Sequence, residues 1–92
     1  MPTPLHLLHI DDEPLVLDIV KIALSHTMVV DNALSLSRAR EQITIQPYDL
    51  LLVDLMLEDS HGIATVEALR PYAIPLVVLS AGEDPEVLAA AA

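Results

Sequence analysis

The chain has no cysteine, only two aromatic residues, and four basic side chains against fourteen acidic ones. Each shortage excludes something. Without cysteine there is neither a disulfide framework nor thiolate metal ligation. With Tyr48 and Tyr72 as its only aromatics, the core must be assembled from Leu, Val, Ile and Ala, in a chain that is 53% apolar over 92 residues. Many small aliphatic side chains suit a parallel sheet covered by helices. Lys21, Arg38, Arg40 and Arg70 are scattered and the net charge is −10, so the segment lacks the basic surface that direct nucleic-acid binding requires. No apolar run approaches the roughly 20 residues of a membrane span, and the opening residues carry no signal-peptide pattern. The expectation is one cytoplasmic domain over residues 1–92, with no membrane or nucleic-acid contact of its own.

What the chain does have is a repeated pattern of apolar runs ending in polar groups. Tyr48-Asp49-Leu50-Leu51-Leu52-Val53-Asp54 is of strand length and closes on a carboxylate. Leu5–Ile10 runs into Asp11-Asp12-Glu13, and Ile74–Leu79 runs into Ser80. Short continuous apolar runs are expected of strands buried on both faces. Between them lie helical patterns. Pro14 opens one that extends to about Ser25, with a stripe of Val16, Ile19, Val20, Ala23 and Leu24, and with Leu15, Leu17 and Ile22 off that stripe. A second strand is expected at Thr27–Val30, followed by a helix over 34–45 capped by Asp31 or Asn32. Gly62–Leu69 reads as a third helix and Asp84-Pro85-Glu86 as the opening of a fourth. Alternating strands and helices imply an α/β fold with helices on both faces of a parallel sheet. Strand order 2-1-3-4 places the ends of the first and third strands side by side, where open α/β sheets bind their ligands.

Three carboxylates, Asp11, Asp12 and Asp54, would then converge. One acid suffices to cap the first helix, and the surplus like charge favours a cation. Several carboxylates without sulfur or imidazole suit Mg²⁺. His9 and Asp11 share a strand face by the two-residue period, which makes a His–Asp metal pair conceivable, though a strand histidine is more commonly a hydrogen-bonded filler. A carboxylate beside a cation can also act as a nucleophile toward phosphorus, with the Ser80 hydroxyl donating to a phosphoryl oxygen. Lys21 lies mid-helix, far from this pocket. His26 and His61 read as surface residues, His61 near the pocket rim.

Asp11-Asp12-Glu13-Pro14, then Asp54-Leu55-Met56-Leu57 with Gly62, then Pro75-Leu76-Val77-Val78-Leu79-Ser80-Ala81, with Ala33 after the second strand, resemble the receiver domain of two-component response regulators. The resemblance implies a flavodoxin-like, doubly wound sheet. It makes Asp54 the phosphoacceptor, Asp12 a direct Mg²⁺ ligand, Asp11 a ligand through water, and Met56 a ligand through its backbone carbonyl. Ser80 would be the hydroxyl that moves to the phosphoryl group, and the donor would be a histidine kinase or phosphotransfer protein. Two departures stand out. Glu58 replaces the usual proline, and the chain ends before the fifth strand, with its phosphate-binding lysine, and the fifth helix. On that reading the form is truncated and impaired, and the bared edge of the fourth strand and the first helix favour self-association. Two other functions fit less of the sequence. One is an interaction or dimerisation module independent of phosphorylation. The other is a Mg²⁺-dependent aspartyl phosphohydrolase, an enzyme that would want a general acid where Met56 stands.

Overall fold

A computed structural model of the chain describes residues 4–80. Four strands and three helices alternate: β1 (Leu5–Ile10), α1 (Pro14–Leu24), β2 (Met28–Ala33), α2 (Leu36–Ile45), β3 (Leu50–Asp54), α3 (Ile63–Leu69) with a following 3₁₀ turn (Arg70–Tyr72), and β4 (Leu76–Ser80). The strands form one sheet in the order β2-β1-β3-β4, with every pairing parallel. This is the expected doubly wound order. The helix expected to open at Asp84 lies outside the described residues.

The two-residue period sorts the sheet into two faces. Leu8, Ile10, Ala33, Leu51 and Val53 point to one, where Leu36 and Ala39 of α2 and Val66 and Leu69 of α3 complete the buried cluster. Leu7, His9 and Val30 point to the other and are also buried. A right-handed β1-α1-β2 crossover puts α1 over this second face, because the chain moves from β1 in the opposite direction to its later crossovers. Only Leu17 of α1 is buried, while Ile19 is 56% exposed. The helix is therefore rotated from the expected stripe. Its seam runs through Leu17, with Val16, Val20 and Leu24 half-buried beside it, positions three or four apart on one helical face.

Helix starts differ from expectation for a local reason. β2 runs on through Asp31 and Asn32 to Ala33, in register with β1 as far as Ile10. Ladder hydrogen bonds hold those two residues extended, so neither caps α2. Ser35 takes that role, its side chain accepting from the Arg38 N–H at 3.1 Å. At α1 the cap position falls on Glu13, whose side chain makes no capping bond, and Pro14 occupies the first turn. β3 starts at Leu50 rather than Tyr48, and β4 at Leu76, past Pro75.

Candidate functional site

The register sets the ends of β1 and β3 side by side, with Ile10 opposite Val53. Asp11 and Asp12 leave the end of β1, and Asp54 ends β3. One carboxylate oxygen from each lies within 4.8 Å of the others. Asp11 is 2% exposed, whereas Asp12 and Asp54 are half-buried and reachable from solvent. Ser80 ends β4 opposite Asp54, after a register shift between Val53 and Asp54. The backbone thus brings all four sequence-derived residues to one end of the sheet.

Local turns fix two of the carboxylates. Asp11 Oδ1 accepts the Glu13 N–H at 2.9 Å, and Asp54 Oδ1 accepts the Met56 N–H at 3.0 Å. In each case an aspartate holds the backbone two residues on, which orients its side chain and leaves its second oxygen for another contact. Met56 is 65% exposed, but Leu55 and Leu57 on either side are buried and anchor the loop. The loop doubles back on itself. Met56 and His61 form an antiparallel bridge, Leu57 N–H donates to the Ser60 carbonyl, and Gly62 N–H donates to the Leu55 carbonyl. Gly62 turns the chain into α3 at φ 59°, ψ −135°, a conformation that side chains strain to adopt. His61, His26 and Glu58 are exposed.

The electrostatics ask for a counter-charge. Two unit charges at this spacing repel by roughly 1 kcal/mol in water and about 3 at a dielectric typical of a protein surface. Burial pushes the Asp11 carboxyl above its ordinary pKa, the Glu13 N–H pulls it down, and the negative charge of Asp54 raises it again. Three carboxylates with no sulfur ligand form a hard oxygen donor set, which fits Mg²⁺ in chemistry. His9 stands outside that set: its Nε2 is 3.6 Å from Asp11 Oδ2. It is not the hydrogen-bonded filler expected of a strand histidine, because both ring nitrogens are buried without a partner.

Two residues of this region escaped the sequence. Asp59, in the loop after β3, accepts from the Leu36 and Ser37 N–H groups at 3.0 Å each, so it caps α2 from a distance of more than twenty residues in sequence. Nothing local marks such a partner. Thr65, fully buried at the start of α3, shares a 2.6 Å hydrogen bond with Ser60 that ties the loop to its helix. A Ser and a Thr five residues apart around Gly62 was the available signal.

Solved structures of similar shape include response regulator receiver proteins. The chain superposes on the N-terminal domain of a response regulator receiver protein from Methanoculleus marisnigri with TM-score 0.83 and 28% identity, covering 92% of this chain and 74% of that one. The Francisella response regulator 1452 receiver domain gives TM-score 0.82 at 23% identity, covering 96% and 78%. The chemotaxis response regulator CheY4 of Vibrio cholerae gives 0.81 at 21%, covering 91% and 74%. The comparison with curated proteins found no match. A family model for the response regulator receiver domain matches residues 7–92. By that match over nearly all of its length, the chain belongs to the response regulator receiver domain family.

Proposed function

We propose that this chain is the phosphoacceptor of a two-component relay, taking a phosphoryl group onto Asp54 from the phosphohistidine of a histidine kinase or phosphotransfer protein. The convergence of Asp11, Asp12 and Asp54 carries the reading, with Asp54 tethered through one oxygen. The untethered Asp54 oxygen attacks phosphorus, forming the P–O bond of an acyl phosphate. The P–N bond breaks, its electron pair stays on the leaving imidazole nitrogen, and that nitrogen takes up a proton. Asp12 and Asp54 are assigned as direct Mg²⁺ ligands, Asp11 as a ligand through water, and Met56 as a ligand through its carbonyl. When bound, the cation offsets the repulsion between Asp54 and the incoming phosphoryl oxygens. Ser80, at the neighbouring strand end, is assigned the hydroxyl that contacts the phosphoryl group. This is a signalling role rather than an enzymatic one, and a cytoplasmic setting follows from it. Among the described residues no helix is long and apolar enough to cross a membrane.

Intact mass after incubation with Mg²⁺ and a small acyl phosphate tests the assignment. A phosphoryl adduct is expected on the chain and absent from Asp54→Asn. A folded chain that takes no adduct, or an adduct that survives Asp54→Asn, overturns it.

A second reading, pairing of two copies independent of phosphorylation, has its own observation. Leu15 and Ile22 of α1 are 68% and 71% exposed, and Val77 and Leu79 of β4, an edge strand among the described residues, are 48% and 43% exposed. An apolar strand edge is a template for pairing. Sedimentation that stays monomeric at high concentration would rule this pairing out.

A further inference from the structure

The second face of β1 is aliphatic at Leu7, and its β2 neighbour Val30 is aliphatic too, yet the next position holds His9. Packing alone would be served by another Leu or Val there. The ring is fully buried and neither nitrogen has a hydrogen-bond partner, an arrangement that native proteins seldom leave without purpose. Its Nε2 faces Asp11 Oδ2 across 3.6 Å, which is too long for a hydrogen bond. Asn32, opposite His9 in the β1–β2 register, also carries a buried Oδ1 without a partner. A buried polar strip therefore leads from the acidic cluster into the sheet.

We propose that His9 is a positioning residue for the cation site, donating Nε2–H to Asp11 Oδ2 when a divalent cation is bound. The inference rests on the reading of the acidic cluster as a Mg²⁺ site. The chemistry fixes the tautomer. A carboxylate only accepts, so the neutral ring must carry its proton on Nε2 and leave Nδ1 as the acceptor. Asp11 Oδ1 is already held by the Glu13 N–H. With His9 on Oδ2 the carboxylate is gripped through both oxygens, and its orientation toward the ligand cluster no longer depends on a free side-chain torsion. An outer partner of this kind typically changes metal affinity without itself touching the metal.

The test is Mg²⁺ titration of the whole chain by calorimetry, beside its thermal melt without metal. His9→Leu removes the donor and keeps an apolar filler. It is expected to weaken Mg²⁺ binding roughly 10- to 100-fold, while the metal-free melt stays level or rises, because a buried polar ring without a partner has been removed. His9→Gln, whose amide nitrogen reaches about as far as Nε2, is expected to recover most of the affinity, and the shorter His9→Asn to recover less. A folded His9→Leu with unchanged Mg²⁺ affinity overturns the proposal. So does Gln performing no better than Asn, a comparison that holds even if His9→Leu fails to fold. If the unaltered chain binds no Mg²⁺, the cation reading fails and His9 falls with it. Binding by the unaltered chain that Asp12→Asn abolishes and His9→Leu leaves intact would sink the role of His9 alone.

Discussion

β1 presents two histidines three residues apart, and the sheet treats them in opposite ways. His6, near the amino end, points toward the α2 side, where Asp31 Oδ2 accepts from its Nε2 at 2.8 Å, from Gln46 Nε2 at 2.5 Å and from the Tyr48 hydroxyl at 2.9 Å. The rings of His6 and Tyr48 meet edge to face at 4.7 Å, while the His6 N–H donates to the Asp49 carboxylate and the Asp49 N–H donates to the His6 carbonyl, each at 2.8 Å. His9, near the carboxyl end, has the Asp11 carboxylate 3.6 Å from its Nε2 and no hydrogen bond to either ring nitrogen. The aspartates differ in the same sense. Burial pushes Asp31 up, but hydrogen bonds from Tyr48, His6 and Gln46 outweigh it and hold its pKa below the ordinary value. Burial pushes Asp11 up, and the charge of Asp54 adds to it. One end of the sheet is a finished network that stabilises the fold. The other is a set of like charges whose mutual repulsion costs stability.

The sharpest way to break this contrast is at Asp31. Asp31→Ala takes this acceptor from three donors, the half-buried His6 and Gln46 and the buried Tyr48, and an unfolding free energy lower by roughly 2–3 kcal/mol is expected from urea denaturation. Asp12→Ala, measured without metal, is expected to be neutral or to stabilise by up to about 1 kcal/mol, since it relieves repulsion. If the two substitutions cost the same, the ends of the sheet do not differ as described. The pH dependence has a definite sign. A group whose folded pKa is depressed contributes stability above its unfolded pKa, and that contribution is lost as pH falls through the folded value. The Asp31 contribution is therefore intact above roughly pH 4 and lost below the ordinary aspartate pKa of about 3.9. Asp31→Asn should flatten that acid limb.

Ligand addition should narrow the gap between the two substitutions. Mg²⁺ at ten times its dissociation constant stabilises the folded state by about 1.4 kcal/mol, and the melting temperature is expected to rise accordingly. Asp12→Ala should abolish that rise, while a variant in the Asp31 network should keep it from a lower starting point. A melt indifferent to millimolar Mg²⁺ would remove the reason for crowding the three carboxylates.

Much of this was legible because it is written locally. β1 was bounded correctly by its apolar run and the acids after it, and the three carboxylates could be placed together because right-handed crossovers and short connections leave few topologies, among them the order 2-1-3-4. What sequence could not supply was the rotation of α1. Nearly every position of that helix is aliphatic, so the buried seam through Leu17 cannot be told from its neighbours until the sheet is in place. Asp31 and Asn32 look like caps in isolation and are strand residues because β1 pairs with them. Asp59 is the inverse case, a loop acid by local signs that caps a helix only after folding.

That cap gives a small effect and the closest test, because α2 touches both regions. Its first turn is held by Asp59 from the loop behind the acidic cluster, and Gln46, just past its last turn, joins the Asp31 network. Hydrogen bonds from the Ser37 and Leu36 N–H groups hold the Asp59 pKa down. Asp59→Ala is expected to cost about 1 kcal/mol, as the loss of a helix cap does, and Asp59→Asn less. The cost should fade below the ordinary aspartate pKa, where protonation weakens the same cap. If the two ends of the sheet are independent, Asp59→Ala and Asp31→Ala should add to within about 0.5 kcal/mol. A larger coupling energy would mean that α2 transmits between them. The stable end would then set the geometry of the loop that carries Met56, and the division between a structural end and a functional end would have to be given up.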